Sequence, residues 1–238
     1  MSKVQLGPVS RGSSQLTGYV AKPSSDEPWP GVVAIHEAWG LDDVMRRHAD
    51  RLAAAGYLTL APDLFSDGGT KRCVVRTFRA LASGQGKAFA DIEESRQWLL
   101  EQSDCTGKVG IIGFCMGGSF ALATSTRGFD VASANYGMVA RKAEQALAGA
   151  CPIVGSYGQK DRATRGMAPK LERTLTTLGV EHDVKAYPNA GHSFLNDAPN
   201  GPALLRPLLK VLNFGPEPAS AADAWRRIEA FFAEHLAP

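Results

Sequence analysis

The stretch Ile111-Ile112-Gly113-Phe114-Cys115-Met116-Gly117-Gly118-Ser119 decides how the rest of the chain is read. Apolar residues run up to Phe114, glycines stand two before and two after Cys115, and a helix-forming run, "SFALATS", follows. This is the signature of a strand that turns sharply into a helix and lifts one side chain out at the turn. Small residues are needed at 113 and 117 because such a turn brings the two backbones together. The apex carries a thiol where serine is the usual occupant. A tight turn holding an inert cysteine has the same local pattern, so the remaining residues must decide.

Working outward, short β-branched or apolar runs alternate with longer amphipathic ones. They predict an α/β fold with a mostly parallel central sheet flanked by helices on both faces. "GVVAIHE" (31–37) and "GYLTLAPD" (56–63) read as strands, with a helix over "DDVMRRHADRLAAAG" (42–56) between them. "DIEESRQWLLE" (91–101) reads as a helix and "GKVGIIGF" (107–114) as the next strand. "VASANYG" (131–137), "CPIVGSYG" (151–158) and "EHDVKAYPNAGH" (181–192) supply three more, separated by helical stretches around 140–149 and 164–178. "SAADAWRRIEAFFAEHL" (220–236) is an amphipathic closing helix. The spans 66–86 and 196–220 read as irregular, the second holding an apolar stretch, "GPALLRPLLKVLNF", that predicts a short helix near the mouth of a pocket, as a lid or a subunit contact. No repeat or linker interrupts residues 1–238, which read as one domain.

A hydrophobic content of 44%, a charged content of 21% and a net charge of +2 describe a globular chain with no basic run dense enough to favour nucleic acid or an anionic membrane. A small-molecule partner is expected, with the chain a monomer or homodimer. The first residues lack an apolar leader, so the expected location is cytoplasmic. Cys73, Cys105, Cys115 and Cys151 show no CxxC pairing, which argues against a metal site and against a disulfide framework. Three of them read as packing residues, and Cys115 is judged by its neighbours.

A reactive thiol needs a base, usually a histidine oriented by a carboxylate. In strand-elbow enzymes of this architecture the order along the chain is nucleophile, acid, histidine. "SYGQKDRAT" places Asp161 just past a strand end, and "YPNAGHSF" places His192 on a glycine-containing loop after another. The order matches, which favours a Cys115–Asp161–His192 triad over an inert turn. His36 and Glu37 end an early strand, where a loop can contribute an amide to an oxyanion hole; the pair lacks the second histidine of a metal-binding HExxH motif. Trp39 and Tyr136 stand at strand ends, where an aromatic can pack either on a flat ligand or in the core.

Taken together, "HEAWGL", "GYLTLAPDLF", "GKVGIIGFCMGG", "NYG", "GQKD", "YPNAGHSF" and the closing helix resemble the dienelactone hydrolase (carboxymethylenebutenolidase) family of α/β-hydrolases over nearly the whole chain. The resemblance implies a cofactor-free cysteine hydrolase that opens an enol lactone through a thioester acyl-enzyme. It also implies that Glu37 contacts the thiol and restrains it, and that the backbone amides of Ala38 and Met116 form the oxyanion hole. The family's arginine shortly after the catalytic histidine has no counterpart, because Ser193, Phe194, Leu195 and Asn196 follow His192. Ser193 and Phe194 become candidates to line the substrate, and Arg76, with Arg72 and Arg79, a candidate to meet its carboxylate. A general carboxylesterase or thioesterase would use the same residues. A non-catalytic small-ligand receptor on this fold would have no need of the aligned set.

Overall fold

The computed structural model describes residues 2–237. Its eight strands are β1 (Ser2–Gly7), β2 (Leu16–Ala21), β3 (Trp29–Ile35), β4 (Leu58–Pro62), β5 (Cys105–Phe114), β6 (Val131–Asn135), β7 (Ile153–Gly158) and β8 (His182–Tyr187). They form one sheet in the order β1-β2-β4-β3-β5-β6-β7-β8, antiparallel at β1–β2 and β2–β4 and parallel from β4 to β8. The expected α/β-hydrolase architecture is present. The β4, β6 and β7 strands are buried along their whole length, as continuous apolar runs covered on both faces should be.

Helices α1 (Asp43–Ala54) and α8 (Pro218–His235) cover one face, where Met45, Leu52, Trp225, Ile228 and Phe232 meet Val32, Ile112 and Val154 of the sheet. On the other face α3 (Lys87–Leu100), α4 (Met116–Thr124) and α6 (Met167–Leu178) bring Phe89, Ile92, Phe120 and Leu171 onto Val33, Ile111 and Ala132. The caps are local: the Asp42 carboxylate accepts from the Met45 amide at 3.0 Å, and the Glu217 carboxylate accepts from the Ser220 amide at 2.8 Å. The short α5 (Ala143–Leu147) lies between β6 and β7 in sequence.

Two spans differ from the sequence expectation. Residues 69–83, read as irregular, form α2 (Gly69–Ser83), which buries Cys73, Thr77 and Ala80 along one stripe and leaves its arginines outside. Residues 196–220 contain a short turn of 3-10 helix at Ala203–Leu205 and α7 (Arg206–Val211), in agreement with the short helix expected there. The four cysteines are all free, Cys73 buried and the others half-buried.

At the turn between β5 and α4, Cys115 adopts φ +56°, in the left-handed region that a side chain normally avoids, at a cost of roughly 1–3 kcal/mol. A Cβ on Gly113 would lie 2.0 Å from the Gly117 carbonyl oxygen, and one on Gly117 would lie 2.2 Å from the carbonyl oxygen of Ile35. Both obstacles are backbone, so neither can rotate away. Gly113→Ala and Gly117→Ala are each expected to lower stability by about 3 kcal/mol or more in urea unfolding, or to prevent folding; a cost below about 1 kcal/mol would show that the turn can open.

Candidate active site

Three strand ends at one edge of the sheet bring Cys115, Asp161 and His192 together, beyond β5, β7 and β8 respectively. Asp161 is held on both oxygens: Oδ1 accepts from the Ala163 amide at 2.8 Å, while Oδ2 accepts from Thr164 Oγ1 at 2.5 Å and faces His192 Nδ1 at 2.7 Å. Burial opposes the Asp161 charge, but these hydrogen bonds, led by that from His192, hold its pKa below the usual value. Burial likewise opposes a charge on His192. Asp161 and the neighbouring Cys115 sulfur outweigh it and raise the imidazole to about 10. Since Nδ1 faces Asp161, Nε2 is the nitrogen left to exchange a proton with a reacting group.

Both candidate oxyanion amides are available. Among the described residues, neither Ala38 N–H nor Met116 N–H donates a hydrogen bond within the chain. The Ala38 amide is aimed by a residue the sequence reading left unassigned. His36 Nε2 accepts from the Leu64 amide at 3.1 Å, which places its proton on Nδ1, and Nδ1–H donates to the Glu37 carbonyl at 2.6 Å. A trans peptide carries C=O and N–H on opposite sides, so fixing the Glu37 carbonyl fixes Ala38 N–H the other way. Burial lowers the His36 pKa and keeps the ring neutral for this task.

Glu37 is buried, and its charge reaches Tyr136, but its hydrogen bonds differ from the contact the resemblance implied. Its carboxylate accepts from Asn196 Nδ2 at 3.4 Å and from Asn200 Nδ2 at 2.6 Å, and no hydrogen bond from Cys115 to it is present among the described residues. Asn196 is in turn set by His48, whose Nε2 lies 3.0 Å from Asn196 Oδ1 and whose ring stacks on Phe114 at 4.5 Å. Burial lowers His48 to about 4, so the neutral ring donates to the Asn196 carbonyl and turns its NH2 toward Glu37. These partners are about 150 residues apart in sequence and follow no spacing rule, which is why sequence reasoning missed His48 and Asn200.

Tyr136 sits at φ +42° just beyond β6, its ring 5.1 Å from that of His192 and its hydroxyl buried with no hydrogen bond of good geometry. Burial first, then the Glu37 charge, pushes the phenol well above its ordinary pKa. Trp39 is half-buried and walls a cavity of about 700 Å³ whose lining also includes Asn200, Arg206, Lys210 and Phe214. Phe214 packs its ring 4.5 Å from that of His192, so this cavity adjoins the candidate triad. Ser193 is buried at φ +58°. Phe194 is fully buried against Tyr136 and Tyr187 and belongs to the core rather than to a ligand wall. Arg76 is exposed on α2 and donates to Cys73 Sγ at 3.3 Å; neither it nor Arg72 nor Arg79 lines the cavity beside Trp39, where the cations are Arg206 and Lys210.

A family model described as the dienelactone hydrolase family matches residues 16–236. A Yersinia pestis protein called "putative carboxymethylenebutenolidase" is 28% identical over 93% of this chain and 84% of its own length. A Rhodococcus opacus carboxymethylenebutenolidase is 27% identical over 86% and 81%. Among solved structures, a dienelactone hydrolase-like promiscuous phosphotriesterase from metagenomic libraries superposes with a TM-score of 0.79 at 20% identity, covering 98% of both chains.

Because the folded pKa of His48 lies below its unfolded value of about 6.5, the unfolded chain takes up that proton first. The native state therefore loses stability as pH falls from about 6.5 toward 4, by up to about 3 kcal/mol from this group. His48→Gln keeps an N–H donor for Asn196 without the titration, and its urea stability should fall less over that window. Equal acid sensitivity in the two proteins would remove His48 as a source.

Proposed function

The chain belongs to the dienelactone hydrolase family, and from that premise we propose that it is a cysteine-nucleophile hydrolase opening a lactone, or another activated ester, through a thioester acyl-enzyme. The observation that carries this reading is the thiol held at φ +56° at the end of β5 with a carboxylate-paired histidine beside it. Cys115 Sγ attacks the carbonyl carbon while His192 holds the thiol proton at Nε2, and Asp161 stabilises the imidazolium. The oxyanion forms against Ala38 N–H and Met116 N–H, two donors that need no reorganisation. Collapse expels the enolate, which takes the proton from Nε2. Water, deprotonated by the same nitrogen, then attacks the thioester and releases the thiol.

Glu37 is the restraint in this scheme. A carboxylate fixed near the thiol disfavours a second negative charge there, so the nucleophile is least active until a ligand changes the local field. Substrates with a leaving group as good as an enolate suit such a nucleophile; amides do not. An anionic acyl group would find its counter-charge at Arg206 and Lys210, which line the cavity beside Trp39, rather than at Arg76. The position of the α2 arginines off that cavity also favours a second reading, a general carboxylesterase or thioesterase.

Steady-state hydrolysis of cis- and trans-dienelactone beside a simple aryl ester separates the two readings. Lactone opening faster than aryl-ester cleavage is expected, with Cys115→Ala inactive on both and Asp161→Asn slower by about 10³–10⁴-fold. Full activity in Cys115→Ala would overturn the mechanism, while aryl-ester cleavage alone would leave the machinery and reassign the substrate. Glu37→Gln should accelerate iodoacetamide alkylation of Cys115; an unchanged alkylation rate would remove Glu37 as the restraint.

A further inference from the structure

Three segments reach the edge of the sheet that carries Cys115: α2 with its flanks, the chain just beyond β6, and the span around α7. Among the described residues they hold all the exposed large apolar side chains: Val75 and Phe78 on α2, Met138 beyond β6, and five between 204 and 212, led by Leu204 at 91% exposure and Val211 at 78%. The segments adjoin one another. Phe78 and Met138 border one groove, and the first turn of α2, at Thr70 and Lys71, shares a cleft with Trp39, Asn200 and Arg206.

The charge on these segments is equally uneven. Residues 69–83, 137–142 and 198–216 contain eight lysines and arginines and no aspartate or glutamate, although the whole chain is nearly balanced at 26 cations to 24 anions. None of the eight pairs with a carboxylate among the described residues, whereas many of the other lysines and arginines do, among them Lys22, Arg46, Arg51, Lys87, Arg96 and Lys185. Exposed leucine and valine interleaved with unpaired cations is the composition of a surface that enters the headgroup region of a bilayer. A second copy of this chain would set cation against cation across a twofold contact. Nucleic acid would satisfy the charge and leave the apolar side chains in water.

We propose that this rim is a docking surface for anionic lipid, which seats the mouth of the Cys115 site on a membrane or lipid aggregate. The net charge of +2 argues against such a partner only while the charge is taken as evenly spread. The apolar side chains enter the acyl boundary, and the lysines and arginines meet the phosphates around them. Docking is a property of the surface and is measured without reference to the reaction.

The test is co-sedimentation of the full chain with vesicles made of equal parts phosphatidylglycerol and phosphatidylcholine, beside vesicles of phosphatidylcholine alone. Binding should be about tenfold or more stronger to the anionic vesicles and should weaken as salt is raised. The variant Leu204→Ser/Leu208→Ser/Val211→Ser changes exposed positions outside the catalytic set. It should lose vesicle binding by about tenfold or more while keeping its circular dichroism spectrum and its rate on a short monomeric ester. Absence of wild-type binding to anionic vesicles, or equal binding by the triple variant, overturns the proposal. So does a dimer in sedimentation equilibrium that the triple variant dissolves while vesicle binding is absent, which would assign the rim to contact between copies.

Discussion

Backbone packed directly on backbone at the end of β5 sets the position of everything reactive in this chain. With no Cβ at Gly117, the first turn of α4 lies against the carbonyl of Ile35, the last residue of β3. With none at Gly113, the strand that enters the turn touches the helix that leaves it. The Cys115 amide is taken by the Asn135 carbonyl at 3.0 Å, which adds β6 to the same junction. Three strands thus deliver Glu37 and Ala38, Cys115, and Tyr136 to one place with no side chain between them to act as a spacer. The thiol and the two free amides keep their spacing because main chain defines it, with one side chain, the His36 ring, holding the Glu37 carbonyl that sets the Ala38 amide.

Around that junction one residue type is used in opposite ways. His36 and His48 have carboxylates in range, Asp63 lying 3.7 Å from the His36 ring, but burial outweighs them and keeps both rings uncharged, and each serves as a directional donor that fixes a neighbouring amide or carbonyl. His192 is almost as buried, yet Asp161 at 2.7 Å reverses the sign of the shift and favours the imidazolium. The carboxylates divide similarly. Asp161 has a cationic partner and three hydrogen bonds, while Glu37 has two neutral amides, a looser hold on its charge.

The sheet from β3 to β7 was legible in the sequence because its parallel strands are buried on both faces over most of their length and so appear as apolar runs, while β8, half-buried and mixed in composition, was picked out by its β-branched residue and the turn residues that bound it. β1 and β2 were not, since β1 is exposed or half-exposed along its length and offers no such run. α2 was hidden by its flanking glycines and its arginines, although Cys73, Thr77 and Ala80 mark a buried stripe. Cys115, Asp161 and His192 could be picked out together because each follows a strand end in a fixed order. The orienting set could not: His36, His48 and Asn200 act through hydrogen bonds whose partners are chosen by the folded shape, and a lone histidine in an amphipathic helix looks the same whether or not it holds an asparagine. Phe194 and Arg76 show the reverse error. Proximity in sequence to a functional residue or loop suggested a role that alternation of side-chain direction gave to the core in one case and to the outer face of a helix in the other.

The span from Asn196 to Gly215 is tied down at both ends and, close to the first, at Asn200, which donates to Glu37 at 2.6 Å. At one end Asn196 is gripped by His48 and Glu37; at the other, the Asn213 carbonyl accepts from the His192 amide at 2.9 Å, and the His192 carbonyl accepts from Gly215 at 2.9 Å. Between these anchors the chain arches over Trp39 and walls the cavity, but contributes no group that positions Cys115, Asp161 or His192. Beyond Asn200, the wall of the cavity and the groups around Cys115 are therefore written in separable parts of the gene. Insertions, deletions or replacement between Gly201 and Leu212 can re-shape the cavity while Asn196, Asn200 and the Asn213–Gly215 anchor stay in place, a modular arrangement that lets one wall be refitted without rebuilding the centre around Cys115.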